Sequence, residues 1–396
     1  MRLSERSKKV KGSPTLALAA KAIELKSKGI DVVSLSVGEP DWQTFEACKE
    51  KGISAIKGGK TRYTTASGTA SLKKAIVEDF EKRFGLGYDS KNVIVTPGAK
   101  YAIQQAFWNM INPGDKVGIF VPYWASYTTM VEIADGEPVL ISLNDNFSIN
   151  VEEVEKAISS GIKILLINSP NNPSGEVFQK SDYEALAKIL KANPDVQIIL
   201  DDIYSELYWG EEEQCPHLFD VAPDLKERTV VISGASKVYS MTGWRIGWAI
   251  AEEQTIKALS RHQSQTTGCP TSISQEATEA GFSAQVKSEI KESVGLLKKR
   301  AEKGYDLLNE IDGVSLKRPE GAFYFWVNLS EVLKKSNMSD PDFCASLLES
   351  KAVVVVPGSD FGQPGFVRMS FAVSEETFKE GVERLKSFIS ELNSDS

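Results

Sequence analysis

Short apolar runs rich in β-branched residues alternate with amphipathic stretches between about residues 92 and 233, and this alternation restricts the fold more than any other feature of the chain. Strands are expected at Asn92–Thr96, Lys116–Val121, Ile162–Ile167, Val196–Leu200 and Thr229–Ser233, with helices such as Ala99–Ile111, Trp124–Ala134 and Ser181–Ala192 between them. Strands that are apolar on both faces need helices above and below. The pattern therefore predicts an α/β domain with a mostly parallel central sheet flanked by helices. Ligands of such sheets sit outside the carboxyl ends of the strands, in the loops that follow them.

The remainder reads differently. A long charged amphipathic helix is expected over Ala284–Ile311, then strands at Phe323–Val327, Val353–Val356 and Phe366–Phe371, and a terminal helix over Glu375–Leu392. That order suggests a smaller α+β unit. An amino-terminal helix around Leu16–Leu25 and a strand at Val32–Ser36 precede the alternating region and are expected to pack onto it. The expected division is residues 1–44 as arm and part of the small domain, 45–283 as the large domain, and 284–396 as the small carboxyl-terminal domain. No internal repeat or low-complexity tract interrupts it.

Composition removes several chemistries. The 396 residues carry 46 Lys plus Arg against 54 Asp plus Glu, a formal charge of −8 with no long basic block, which argues against nucleic acid as a partner. Cys48, Cys215, Cys269 and Cys344 are far apart, so neither a disulfide framework nor a zinc site is suggested, and unpaired thiols fit a reducing compartment. With only His217 and His262, a histidine metal cluster is impossible and a Ser-His-Asp hydrolase is disfavoured; no metal is expected. Lys21 and Glu24 end the early apolar stretch too soon for a signal peptide, and no run approaches the roughly 20 residues of a membrane span. The expected location is the cytoplasm.

The chemistry is expected in Ser233-Gly234-Ala235-Ser236-Lys237, after the last strand of the alternating region, and in Arg245, eight residues beyond the lysine. Small residues around Lys237 let a bulky group approach, and Arg245 can return to the same place. An amine beside a phosphate-binding arginine is what a Schiff-base cofactor requires.

This tract, through Met241-Thr242-Gly243-Trp244-Arg245-Ile246-Gly247-Trp248, resembles the active-site lysine signature of fold type I pyridoxal-phosphate aminotransferases of classes I and II. Val37-Gly38-Glu39-Pro40-Asp41 resembles that family's amino-terminal substrate loop. Asn168-Ser169-Pro170-Asn171-Asn172-Pro173-Ser174-Gly175 resembles its Asn-Pro-Thr-Gly motif, and Asp201-Asp202-Ile203-Tyr204 its Asp-x-x-Tyr motif. The resemblance implies pyridoxal 5'-phosphate bound to Lys237, with Asp201 on the pyridinium, Asn172 and Tyr204 on the phenolic oxygen and Trp124 stacked on the ring. It further implies a phosphate held by Arg245, the amides of Gly98, Ala99 and Lys100, and Tyr63 from the partner of a homodimer with shared active sites. Gly234 stands three before the lysine, where a hydroxyl is usual, which leaves Ser233 or Ser236 as substitutes.

Arg368 matches the family's clamp for the α-carboxylate, beside Gly38, Trp124 and Asn172. Ser264-Gln265-Thr266-Thr267-Gly268 lacks the arginine that animal-type aspartate aminotransferases use for the distal carboxylate. The chain is similar instead to the gamma subgroup of bacterial aspartate aminotransferases, in which Lys100, Ser13 and Thr15 would serve. Lys11 sits where some members carry a lysine associated with prephenate. Phe45 replaces a usual proline after the substrate loop. The implied reaction is transamination between L-aspartate and 2-oxoglutarate. The alternatives are an aromatic or prephenate aminotransferase, a pyridoxal-phosphate C–S lyase, and last a cofactor-binding regulatory module, for which no DNA-binding extension is seen.

Overall fold

The computed structural model describes residues 14–394 together with 2–4, 7, 8, 10 and 12, the side chains of 14–17 and 19 excepted. Strands are numbered along the chain from β1 (Val33–Ser34). The large sheet is built from β2 (Val93–Thr96), β3 (Lys116–Val121), β4 (Glu137–Ser142), β5 (Ile162–Asn168), β6 (Gln197–Asp201), β7 (Thr229–Gly234) and β8 (Gly247–Ile250). Its order is β2-β8-β7-β6-β5-β3-β4, with β4, β3, β5, β6 and β7 parallel and β8 antiparallel to both neighbours.

Period-two alternation divides the interior strands between two cores. Ile164, Leu166, Ile199 and Ile232 face the helix Ala99–Met110, whereas Leu165, Ile167, Ile198 and Val231 face the opposite side. All eight are buried, and each contributes about 1.5–3 kcal/mol of transfer free energy. Coverage on both faces is what allows strands with so few polar positions.

The smaller unit holds β9 (Ser315–Leu316), β10 (Tyr324–Asn328), β12 (Val356–Pro357) and β13 (Phe366–Ser370), in the order β12-β13-β10-β9. β11 (Val353–Val354) pairs in parallel with β1, which fixes the amino-terminal segment onto this unit. The expected single strand Val353–Val356 is thus two strands, because the chain leaves one sheet and enters the other at Val355. The helix Ala284–Asn309 joins the units: Val286 and Ile290 enter the large core, and Leu297, Ala301 and Leu308 the small one.

Two expectations need correction. The helix expected from Trp124 begins at Tyr127, since Pro122 precedes it and residues 124–127 close a turn, Tyr127 N donating to Trp124 O at 2.9 Å. β4 and β8 were unforeseen: Leu140 of β4 is 48% exposed at the sheet edge, which blurs its apolar pattern, and β8 lies within the motif tract.

Candidate active site

The carboxyl ends of β5, β6 and β7 converge with the small unit's β10 and β13. Asp201 ends β6 and is buried, and its Oδ2 accepts a 2.5 Å hydrogen bond from the Tyr127 hydroxyl. Burial raises this carboxyl to about 6, partly opposed by the Tyr127 bond. Asn168, its neighbour at the end of β5, donates to the Asp201 carbonyl at 2.9 Å and accepts from Asn172 N at 3.0 Å, so one side chain braces both segments. The turn carrying Asn172 closes on Gly175, at φ +70°, where a Cβ would meet the Tyr324 carbonyl oxygen at 2.8 Å.

Asn172 faces Arg368, the central residue of β13. Arg368 is 2% exposed; its Nη1 donates to Asn172 Oδ1 at 2.8 Å and its Nη2 to the Ser36 carbonyl at 2.9 Å. Its guanidinium carbon lies 4.5 Å from the Tyr324 ring centre and 5.0 Å from that of Phe361. Its Nε is buried with no hydrogen-bond partner. A buried, always-charged fork with an unused donor is a carboxylate-binding arrangement.

Lys237 sits on the four-residue helix Ala235–Val238 directly after β7. It is half-buried, and its Nζ donates to the Gly38 carbonyl and lies 5.9 Å from the Tyr204 ring and 5.8 Å from that of Phe323. Burial first, and the Arg368 guanidinium second, bring its ammonium down to about 8. An amine partly neutral near pH 7–8 can act as nucleophile and base, which an ordinary lysine cannot. Tyr204 is buried, and its hydroxyl lies 2.9 Å from that of Tyr324.

The opposite end is a cradle. The helix Ala99–Met110 starts after Gly98, at φ +93°, and no side chain caps it. Its first amides therefore keep the anion affinity of a helix amino terminus. A Cβ on Gly98 would stand 2.3 Å from Arg245 Nη2, and one on Gly247 2.2 Å from Ala99 N, so both glycines make room for this approach. Lys100 Nζ lies 4.6 Å over the Trp124 ring.

Not every expected residue reaches this place. Ser233 shares the face of Val231 and Trp248, opposite the cradle, and its hydroxyl donates to the Asp202 carbonyl at 3.4 Å; strand parity keeps it from the phosphate end. Ser236, adjoining Lys237, is buried and stays a candidate donor. Tyr63 is 97% exposed and makes no hydrogen bond or ring contact with these groups among the described residues. Lys11, Ser13 and the Thr15 side chain lie outside the described residues. Sequence reasoning missed Tyr127, Tyr324, Phe323 and the Ser36 carbonyl; Gly38 is among the expected residues, and what the structure adds is its carbonyl's bond to Lys237. Only Tyr127, three residues after Trp124, left a signal.

The family model for aminotransferase class I and II matches residues 30–385. The chain belongs to this family. It is 39% identical to an aspartate/prephenate aminotransferase of Nitrosomonas europaea, over 98% of this chain and all of that one. It is 41% identical to an aspartate aminotransferase of Rhizobium meliloti, over 94% and 92% of the two chains. Among solved structures, the aspartate aminotransferase of Rhizobium meliloti superposes with a TM-score of 0.93 at 38% identity, covering 98% of this chain and 99% of that one. The Thermus thermophilus enzyme with maleate gives 0.91 at 36%, covering 98% and 100%.

The cofactor of these aminotransferases is pyridoxal 5'-phosphate, and the residues here fit it. The Gly98–Arg245 cradle would disappear under a single Cβ, Asp201 offers a carboxylate for a protonated ring nitrogen, and Lys237 offers the amine. Among the described residues, no helix is long and apolar enough to cross a membrane.

Proposed function

We propose that this aminotransferase moves the amino group between L-aspartate and 2-oxoglutarate in two half-reactions. The observation that carries the reading is Arg368: a buried guanidinium with an unused Nε, held by Asn172 and Ser36 on the side of the site where it depresses Lys237. Arg368 would bind the α-carboxylate and so orient the α-carbon toward the lysine. Lys237, as neutral amine, would take the α-proton and return it to the other carbon of the exchange. Pyridoxal phosphate, when bound, supplies an electron sink for the charge left at the α-carbon.

Asp201, kept ionised by Tyr127, would hold the ring nitrogen's proton. Asn172 and Tyr204 would position the phenolic oxygen, and Trp124 would cover the ring and exclude water. Arg245, the Gly98–Lys100 amides and Ser236 would hold the phosphate. Lys100, exposed at the entrance and backed by Trp124, would pair with a distal carboxylate, together with Ser13 and Thr15; an uncharged side chain would leave it unmatched. The relatives named for aspartate support this choice, and those named for aspartate and prephenate support prephenate, through Lys11, as a second substrate.

The same reading takes the molecule as a homodimer. Tyr63 is 97% exposed, Ile53 and Ile56 of the helix Glu46–Lys57 are exposed in part, and Tyr63 would reach the partner's phosphate. It also divides the chain at residues 44 and 283, and places it in the cytoplasm, in keeping with four free cysteines. Steady-state assays with aspartate, phenylalanine and prephenate test the substrate; negligible aspartate turnover would overturn it. Light scattering tests the dimer.

A further inference from the structure

Tyr324 stands where three parts of the site meet. β10 pairs with β13 so that Tyr324 lies opposite Ser370 and Trp326 opposite Arg368, which puts Tyr324 diagonal to Arg368 on the same face. Its ring centre lies 4.5 Å from the guanidinium carbon, and its hydroxyl lies 2.9 Å from that of Tyr204. A Cβ on Gly38 would stand 3.1 Å from the Tyr324 hydroxyl, so the loop that receives Lys237 also presses on this group. The two phenol rings meet edge to face with centres 6.0 Å apart, and Phe323 packs 5.5 Å from Tyr204 and 4.7 Å from Tyr324. Tyr324 is fully buried and Tyr204 nearly so, which keeps both hydroxyls from water.

Proton counting sets the direction of the bond between them. Two hydroxyls carry two protons and share one hydrogen bond. Among the described residues, Tyr204 is the hydrogen-bond partner of the Tyr324 hydroxyl, and no other is present. Were Tyr204 the donor, the Tyr324 proton would be left unpaired in an apolar interior, at the full desolvation cost of that donor. With Tyr324 donating, both protons are placed: the Tyr204 proton stays free for a group in the cofactor site, on the ring that Lys237 Nζ approaches to 5.9 Å. Acidity points the same way. Burial pushes both phenols up, Tyr204 far above the ordinary tyrosine range, whereas on Tyr324 the Arg368 cation is the next influence and opposes it. Tyr324 is therefore the stronger acid and the better donor.

We infer that Tyr324 is a positioning residue for the amino-group exchange: its hydroxyl donates to Tyr204 and so commits the Tyr204 proton to the phenolic oxygen of pyridoxal phosphate. A hydroxyl that accepts one hydrogen bond donates a stronger one, so Tyr324 also strengthens the bond that it directs. The inference rests on the assignment of Tyr204 to that oxygen, and it is independent of which amino acid is the substrate.

The test is pH titration of the bound cofactor's visible absorbance in wild-type holoenzyme, Tyr324→Phe, Tyr204→Phe and the double variant. A donor on the phenolic oxygen stabilises its negative charge, so loss of that donor moves the midpoint upward. Tyr204→Phe should raise it by about one to two units, the size of a hydrogen bond to a charged group. Tyr324→Phe, which keeps the ring under Arg368, should raise it by roughly 0.2–0.5 units, the share one hydrogen bond lends the next in a chain. The double variant should titrate with Tyr204→Phe, because Tyr324 acts through Tyr204. Maleate should bind Tyr324→Phe as it binds wild type. With Tyr204→Phe shifted as expected, an unmoved or lowered midpoint in Tyr324→Phe, a further shift in the double variant, or a tenfold loss of maleate binding in Tyr324→Phe would each overturn the inference alone. An unmoved midpoint in Tyr204→Phe would overturn the assignment of Tyr204, and the inference with it.

Discussion

Replacing Tyr127 with phenylalanine should raise the Asp201 carboxyl by one to two pH units. The substitution removes one oxygen and keeps the ring, whose centre lies 5.3 Å from that of Trp124, so packing is retained. What is lost is the 2.5 Å donor on Asp201 Oδ2; the remaining bond, from Ile203 N to Oδ1, is longer at 3.3 Å. A hydrogen bond to a charged group contributes about 1.5–3 kcal/mol. At 1.36 kcal/mol per pH unit, that corresponds to roughly one to two units. The direction follows from which form benefits: the phenol donates to the carboxylate, so its removal disfavours ionisation and moves the midpoint up from about 6, to roughly 7–8. Infrared titration of the cofactor-free protein, following the protonated carboxyl band that an Asp201→Asn control lacks, measures it. A midpoint that stays in place or falls would refute the assignment of Tyr127 as the donor that keeps Asp201 ionised. In the loaded enzyme the same change should weaken turnover most near neutrality, where the variant's carboxyl would be protonated.

Lys237→Ala should lower turnover by ~10⁴-fold or more and abolish labelling of the 237 peptide by borohydride with the cofactor, read by mass mapping. Cofactor capture by the apoenzyme should rise with pH through about 8, the value to which burial and Arg368 lower Lys237, because only the neutral amine reacts; removing that cation in Arg368→Gln should move the midpoint upward in stopped-flow traces. The same variant should lose ~30- to 1,000-fold in kcat/KM for aspartate, since a buried bidentate charge pair is worth about 2–4 kcal/mol. Gly98→Ala, forced into φ +93° with its Cβ on Arg245, should weaken cofactor binding by about tenfold or more, measured by equilibrium dialysis.

Legibility followed physical cause. The parallel strands were readable because burial on both faces leaves few polar positions to confuse the period (Lys163 interrupts β5), and β3 runs over the expected residues Lys116–Val121. β4 escaped because an edge strand half in solvent carries a mixed pattern. Lys237, Asp201, Asn172 and Arg368 were readable from motif resemblance, and the structure gathers them. Ser36 contributes only a carbonyl oxygen, which every residue has, so no side-chain pattern marks it. Tyr324 meets Tyr204 only because β10 of the small unit is brought against the loop after β6, far away in sequence. Ser233 was misdirected by proximity in sequence, although the two-residue period of β7 places it with Val231 and away from Ile232.

The pairing of β1 with β11 sets rules for recombining this protein with its relatives. Exchanging the last hundred residues alone would set a native β1 against a foreign β11 and leave the Ser36 carbonyl facing a foreign arginine, while Gly38 still served the resident lysine. Viable chimaeras must therefore transplant both ends of the chain as one cassette, with crossovers placed outside the run from Val33 to Gly38.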